Sequence, residues 1–136
     1  MMTDTILFLC PHHAAKSVIA EVYFNCLAQQ MGLPFVADSA GTEPDEKVSP
    51  AVTAMLLAEG TDVSGHEPRL VTTAELHSAA RVISMGCAAA DLDITPERVT
   101  NWDIPAVSQD MPAARAAIFQ HVQALVDELA PRGAMA

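Results

Sequence analysis

The sequence is poor in basic residues and in cysteine, and each shortage argues against a class of protein. Seven of its 136 residues are lysine or arginine and 17 are aspartate or glutamate, which gives a net charge of −10 at pH 7. A nucleic-acid-binding surface needs a basic face, so this balance argues against DNA or RNA as a partner. Cysteine occurs three times. This odd count argues against a disulfide-stabilised extracellular fold.

Long apolar runs and metal-binding spacings are also missing. No apolar run approaches the roughly 18 residues that span a bilayer, and no basic segment precedes an apolar one at the N-terminus. The cysteines are far apart, and His12 and His13 are adjacent rather than one helical turn apart. We therefore expect a cytoplasmic protein with no metal, no other cofactor and no membrane partner.

The residues that are present favour a folded α/β domain. Hydrophobic residues make up 51% of the chain, and this length suits one domain, which we predict to span residues 1–136. Predicted strands alternate with predicted helices, which is typical of a parallel sheet. We expect three layers, with a four-stranded parallel sheet in the order 2-1-3-4 and helices on both faces. The predicted strands cover 5–9, 35–37, 81–85 and 98–102, and the predicted helices cover 17–31, 49–59, 72–79 and 112–129.

Cys10 is the most informative residue, because it lies where the first predicted strand gives way to the first predicted helix. Backbone N–H groups at a helix N-terminus attract anions, and the same field favours a thiolate over a thiol. We expect Cys10 to be a nucleophile rather than an inert buried thiol. The residues expected to hold an oxyanion beside it are Pro11, His12, His13, Ala14, Ala15, Lys16 and Ser17.

Individual residues of this loop have different chemistry. Pro11 has no N–H group to donate. Lys16 supplies positive charge as a flexible point donor, and Ser17 can donate its hydroxyl to the Cys10 thiolate. Either His12 or His13 is expected to contact the anion, and the sequence does not distinguish them.

Cys87 is a candidate second thiol. It follows the third predicted strand after Gly86. Ligands of open parallel sheets bind at the carboxyl ends of strands where the strand order reverses. If strands one and three are neighbours, Cys10 and Cys87 face one crevice, although Cys87 could instead fill the core. Cys26, late in the first helix, is predicted to pack in the core.

The loop resembles the nucleophile motif of the low-molecular-weight protein-tyrosine phosphatase family, which includes the thioredoxin-coupled arsenate reductases. In both, a cysteine is followed by five residues, a basic residue and a serine. Further segments are similar to the family in the same order over nearly the whole chain. These segments are 39–44, 62–66, 82–87 and 101–105.

The resemblance implies a cysteine-based enzyme acting on a small oxyanion, arsenate or phosphate, or on a phosphoester. It gives catalytic roles to Cys10, Lys16 and Ser17. It also makes Cys87 the thiol that resolves the Cys10 adduct, with thioredoxin or a small thiol as reductant. We expect an arsenate-reductase-like enzyme. A phosphatase working through phosphocysteine and a catalytically impaired oxyanion-binding module stay open as alternatives.

The chain departs from the family pattern at three points. Lys16 replaces an arginine, which would bind a tetrahedral oxyanion through two parallel hydrogen bonds. Ala106 stands where the phosphatases carry their acidic aspartate, so Asp103 and Asp110 are the nearest candidate acids. The reductases often carry another cysteine shortly after the one that Cys87 matches, and this chain has none there.

Overall fold

The sheet is built around its first strand because that strand is apolar without interruption. Residues 6–9 are completely buried, as expected for a central strand covered on both faces. The computed structural model describes residues 4–88 and 91–130. The strands are β1 (Asp4–Leu9), β2 (Phe35–Ala40), β3 (Arg81–Ser84) and β4 (Val99–Asn101), and the helices are α1 (Lys16–Met31), α2 (Pro50–Ala58), α3 (Thr73–Ser78) and α4 (Met111–Leu129).

The predicted topology is confirmed. The four strands are parallel and lie in the order β2-β1-β3-β4. In this register Leu9 pairs with Ala40 on one side and with Ser84 on the other. The Met85 N–H then donates to the Leu9 carbonyl at 2.7 Å. The residues that follow β1 and β3 therefore leave the sheet side by side at its carboxyl edge.

Alternating side chains of β1 reach opposite faces of the sheet, and each face is covered. Ile6 and Phe8 pack in a large cluster with buried residues of α1, α2 and α4. Leu7 and Leu9 pack in a smaller cluster that includes Leu76 of α3. Period-two alternation of the strand produces this division, and helices on both faces agree with the expectation.

The sequence placed the helix starts within one residue of their position in the structure. Ser49 caps α2, with Pro50 as the first helical residue, and Thr72 caps α3. The start of α1 is different, since the residue before it, Ala15, offers no side-chain cap. The first N–H groups of α1 are thus left without the usual partner from their own sequence.

Two predictions about these elements differ from the structure. Strand β2 continues to Ala40, because the polar residues Asp38 and Ser39 still pair with β1. Cys26 is exposed rather than packed in the core. It lies two residues beyond the buried Phe24, and two residues correspond to about 200° around a helix, so it faces away from the sheet.

Within the described ranges, no helix is both long and apolar enough to cross a membrane.

Candidate active site

Cys10 leaves β1 at the carboxyl edge of the sheet and meets the start of α1. Its sulfur lies 3.0 Å from the Ser17 hydroxyl oxygen, and the Ser17 N–H also points to it at 3.4 Å. Both residues are buried. Hydrogen bonds from a hydroxyl and an amide stabilise negative charge on the sulfur, so the predicted pairing of Cys10 with Ser17 is present in the geometry.

The carbonyl oxygens of the loop that follows Cys10 are hydrogen-bonded to the segment after β2 and to the start of α2. The carbonyls of Pro11, His12 and Ala14 accept from the N–H groups of Glu43, Asp45 and Ser49 at 2.7, 2.9 and 2.8 Å. The N–H groups of Ala14, Ala15 and Lys16 donate to no acceptor in the part of the chain that the structure describes. A concave loop with free N–H groups at a helix start is suited to an anion.

Gly41 allows the segment after β2 to lie directly against this loop. A Cβ at position 41 would come within 2.6 Å of the Pro11 carbonyl oxygen and 2.8 Å of the Cys10 carbonyl oxygen. Real Cβ contacts are not that short. The close approach of the two backbones therefore requires glycine.

Lys16 links the loop to the segment after β4. Its ammonium donates to the Ile104 carbonyl at 3.0 Å and its side chain also lines the groove above Cys10. Trp102 is buried nearby, stacked on His121 with ring centres 4.9 Å apart. Lys16 thus ties the loop to the segment after β4, in which Trp102 is buried.

The groove above Cys10 has a volume of about 890 Å³. Ala106 lies on its wall and offers no acidic proton. Asp103 is exposed between the buried residues Trp102 and Ile104 and does not line the groove. Asp110 accepts from the Ala113 N–H at 3.0 Å as the cap of α4. The structure therefore brings neither candidate acid to the groove wall.

The two adjacent histidines point in different directions. His12 lines the groove, with its Nδ1 3.1 Å from the Glu43 carbonyl oxygen and 3.3 Å from the Asp45 carboxylate. His13 has a left-handed backbone, with φ of 49°, and its side chain is completely buried away from the groove. The structure favours His12 as the histidine that faces an anion, and it is at odds with the expectation that the His13 side chain does so.

His13 is part of a buried polar network behind the loop. Its Nδ1 accepts from the Arg69 N–H at 2.9 Å, while its Nε2 lies 2.7 Å from the Ser39 hydroxyl and 3.1 Å from Nε2 of His66. The Ser39 hydroxyl donates to Glu21 at 2.6 Å. Burial, with the charges of His66 and Arg69, lowers the pKa of His13 to about 4.

The sequence analysis gives no role to His66 and does not predict this network. The available signal was the segment 62–66, which resembles the family and contains this histidine. The contact itself joins residues 53 positions apart, so local pattern does not show it. Burial also raises the pKa of Glu21. The network places His13 in its neutral state, since only a deprotonated Nδ1 accepts from an N–H.

Cys87 lies at the same edge of the sheet but belongs to the other core cluster. Its thiol is buried 3.9 Å from the Thr42 hydroxyl, and its N–H donates to the Ser84 hydroxyl at 3.1 Å. Burial raises the pKa of the Cys87 thiol, and negative charge at Cys10 raises it further. Gly86, the residue before it, lines the groove and has φ of 108°.

The backbone just before Cys87 lies against the Cys10 loop. A Cβ built on Gly86 would touch Pro11, with 3.6 Å to its Cδ atom. Cys87 is the next residue after Gly86 and so lies beside the Cys10 loop, but its sulfur packs in the core cluster on the other face of the sheet from Cys10.

Among residues 4–88 and 91–130, no group of three or more histidine, cysteine or acidic side chains is arranged to hold a metal ion.

Comparisons with known proteins agree with this geometry. A family model described as low molecular weight phosphotyrosine protein phosphatase matches residues 5–104. A protein of Halobacterium salinarum named "Putative arsenate reductase" is 30% identical over 130 residues, covering 91% of this chain and 92% of the relative. A solved arsenate reductase from Archaeoglobus fulgidus is 30% identical, with a TM-score of 0.73, over 90% of this chain and 98% of that one. A low molecular weight protein tyrosine phosphatase from T. tengcongensis shares the fold at 20% identity, with a TM-score of 0.76, over 93% of this chain and 97% of that one.

Proposed function

Since the chain belongs to the low molecular weight phosphotyrosine protein phosphatase family, whose members use a cysteine-based mechanism, we propose that this enzyme is an arsenate reductase. One observation carries the proposal. Cys10 lies at the start of α1 beside free N–H groups, and a second cysteine, Cys87, follows one residue after a glycine of the same groove. Two thiols and an anion-binding loop are the groups that reduction of an oxyanion through a disulfide requires.

The first step is attack on arsenate. The free N–H groups of Ala14, Ala15 and Lys16, together with the Lys16 ammonium, hold the oxyanion over Cys10. The Cys10 thiolate forms a sulfur–arsenic bond, and one arsenic–oxygen bond breaks. The departing oxygen takes up protons and leaves as water, and arsenic stays in its pentavalent state.

The second step transfers two electrons. The Cys87 thiolate attacks the Cys10 sulfur and forms a disulfide, while the electron pair of the sulfur–arsenic bond passes to arsenic. Arsenic leaves as trivalent arsenite, so the two thiols are oxidised and arsenic is reduced. A disulfide needs Cα atoms within about 7 Å, and rotation of the backbone at Gly86 is the movement that turns the Cys87 sulfur toward the loop.

An external dithiol, thioredoxin or a small thiol, restores the two cysteines by thiol–disulfide exchange. We also propose that the protein works in the cytoplasm, since reducing compartments keep such thiols ready. The three cysteines within the described residues are unbridged in the structure, which is the state that begins the cycle.

Hydrolysis of phosphomonoesters is a second candidate function, and the size of the groove favours it. A volume of about 890 Å³ exceeds what a single tetrahedral oxyanion fills. Val107 and Met111 line it beyond the loop, where an apolar ester group has room. Cys10 would form a phosphocysteine that water then hydrolyses.

Parallel assays of the purified protein separate these functions. We expect release of arsenite from arsenate in the presence of thioredoxin or dithiothreitol, abolished by Cys10→Ser and by Cys87→Ser. Cys26→Ser is the matched control, because Cys26 is exposed on α1 away from the groove. Hydrolysis of an aryl phosphate without arsenite release, unaffected by Cys87→Ser, would instead establish the phosphatase. Anion binding with neither reaction would leave only a binding module.

A further inference from the structure

We propose that His12, held by Asp45, is the proton donor to the leaving oxygen, an assignment that rests on the proposed function. The reaction needs such a group. Hydroxide and alkoxide are poor leaving groups, and general acid catalysis contributes typically 10²–10⁴-fold. Ala106 lies on the wall of the groove but has no proton to donate, and Asp103 and Asp110 do not line the groove.

The backbone fixes the position of His12 relative to Cys10. Two hydrogen bonds join the loop to the segment after β2, from the Glu43 N–H to the Pro11 carbonyl and from the Asp45 N–H to the His12 carbonyl. His12 comes only two residues after Cys10, and both line the same groove. The imidazole therefore lies at the rim of the loop that would hold the oxyanion.

Glu43 contacts the His12 ring through its backbone, and Asp45 contacts it through its side chain. Nδ1 of His12 lies 3.1 Å from the backbone carbonyl oxygen of Glu43 and 3.3 Å from the Asp45 carboxylate. Two acceptors beside one nitrogen fix the proton on Nδ1 and the orientation of the ring. Nε2 has no partner within residues 4–88 and 91–130, so it is the nitrogen that gives up a proton.

The other ionisable groups on this wall are already engaged. Cys10 is the nucleophile, and the Lys16 ammonium donates to the Ile104 carbonyl. Asp45 is more than half exposed, and its carboxylate lies 3.3 Å from Nδ1 of His12. His12 is the remaining side chain on this wall that is suited to acid–base chemistry.

The step balances with no further reactant. The sulfur of Cys10 forms a bond to arsenic or phosphorus as the bond to the leaving oxygen breaks. The protonated His12 ring passes its Nε2 proton to that oxygen, which leaves as water or as an alcohol. His12 ends neutral, and no electrons are exchanged in this step.

Aryl phosphates of graded leaving-group strength test the assignment. In His12→Gln we expect kcat/KM for phenyl phosphate to fall by about 100-fold or more, while 4-nitrophenyl phosphate, whose anion leaves readily, loses less than about 10-fold. The rate of arsenite release from arsenate should fall in His12→Gln as the rate of phenyl phosphate hydrolysis does. His77→Gln, an exposed histidine on α3, is the control.

A double variant distinguishes a proton donor from a structural residue. Adding Ala106→Asp to His12→Gln should restore phenyl phosphate hydrolysis by at least about 10-fold, because a carboxyl group returns to the groove wall. Asp45→Asn should weaken the reaction less than His12→Gln does. Circular dichroism confirms that each variant is folded.

Three results would overturn the assignment. Equal losses for both aryl phosphates in His12→Gln would make His12 a binding or structural residue. Unchanged rates in His12→Gln, with Cys10→Ser inactive, would exclude His12 while the proposed function stands. Absence of turnover by the unaltered protein with arsenate and with both esters would reject the proposed function, and the proton-donor assignment with it.

Discussion

Acid should destabilise this protein through one residue, His13. Its imidazole is completely buried, and its Nδ1 accepts from the Arg69 N–H. Protonation would place a hydrogen on that nitrogen and abolish the bond. It would also add positive charge beside Arg69 and His66, whose charges already lower the pKa of His13, whereas Asp38 raises it. The network behind the Cys10 loop should therefore come apart as pH falls.

The magnitude follows from the difference between the folded and unfolded states. The pKa of His13 is about 4 in the folded protein against an ordinary value of 6.5. Between these values the unfolded chain binds more protons, so the contribution of His13 to stability is complete above about pH 6.5 and is lost as pH falls toward 4. The free energy of unfolding should drop by about 2 kcal/mol between pH 8 and pH 5 from this residue alone.

Carboxyl groups also titrate over this pH range, so the prediction concerns the difference in stability between the unaltered protein and one variant. His13→Asn removes the titration, and asparagine tolerates the left-handed backbone that His13 adopts. Glu21, whose pKa is raised by burial, acts in the opposite direction and is present in both proteins. We expect the stability advantage of the unaltered protein over His13→Asn to shrink by about 2 kcal/mol between pH 8 and pH 5.

Urea unfolding followed by circular dichroism measures this difference. Fluorescence of the single tryptophan is less suitable, because His121 stacks on Trp102 and itself affects the emission. His77→Asn serves as the control, since His77 is exposed. Parallel pH curves for the unaltered protein and His13→Asn would refute the reasoning about the buried network.

Three further predictions concern the Cys10 loop and its neighbours. Iodoacetamide should label Cys10 although it is buried, because Ser17 and the start of α1 stabilise negative charge on its sulfur; peptide mapping that finds Cys26 labelled and Cys10 untouched would contradict this. Lys16→Arg should bind arsenate or phosphate more tightly in calorimetry, since a guanidinium donates two parallel hydrogen bonds; unchanged or weaker binding would show that the loop requires lysine. Gly41→Ala should lower the free energy of unfolding by about 1–3 kcal/mol through its clash with the Pro11 carbonyl, whereas alanine at Gly65, which has no neighbour within 4 Å, should change it little; equal effects would mean that the close approach is not needed.

Much of the fold follows from local sequence. The uninterrupted apolar run of β1 predicts a central strand, and the caps at Ser49 and Thr72 fix two helix starts. The position of Cys10 between a strand and a helix indicates the anion-binding loop without any structural information. These features depend on residues within a few positions of one another, so the sequence is sufficient to predict them.

Other features depend on contacts between distant segments. Whether His12 or His13 faces the groove is decided by the left-handed backbone at His13 and by Ser39 and His66, which lie 26 and 53 residues away. The burial of Cys87 on the opposite face of the sheet depends likewise on the turn at Gly86. Sequence pattern alone contains no information about these directions.

A single turnover with arsenate tests the central claim most directly. Reduced protein is mixed with arsenate and no external thiol, quenched in acid with an alkylating reagent, and mapped by mass spectrometry. The proposed reaction gives one arsenite per protein and a peptide in which Cys10 is joined to Cys87, with Cys26 alkylated. Cys10 and Cys87 both recovered as alkylated thiols, with no arsenite formed, would contradict the reductase and leave the phosphatase or the binding module in its place.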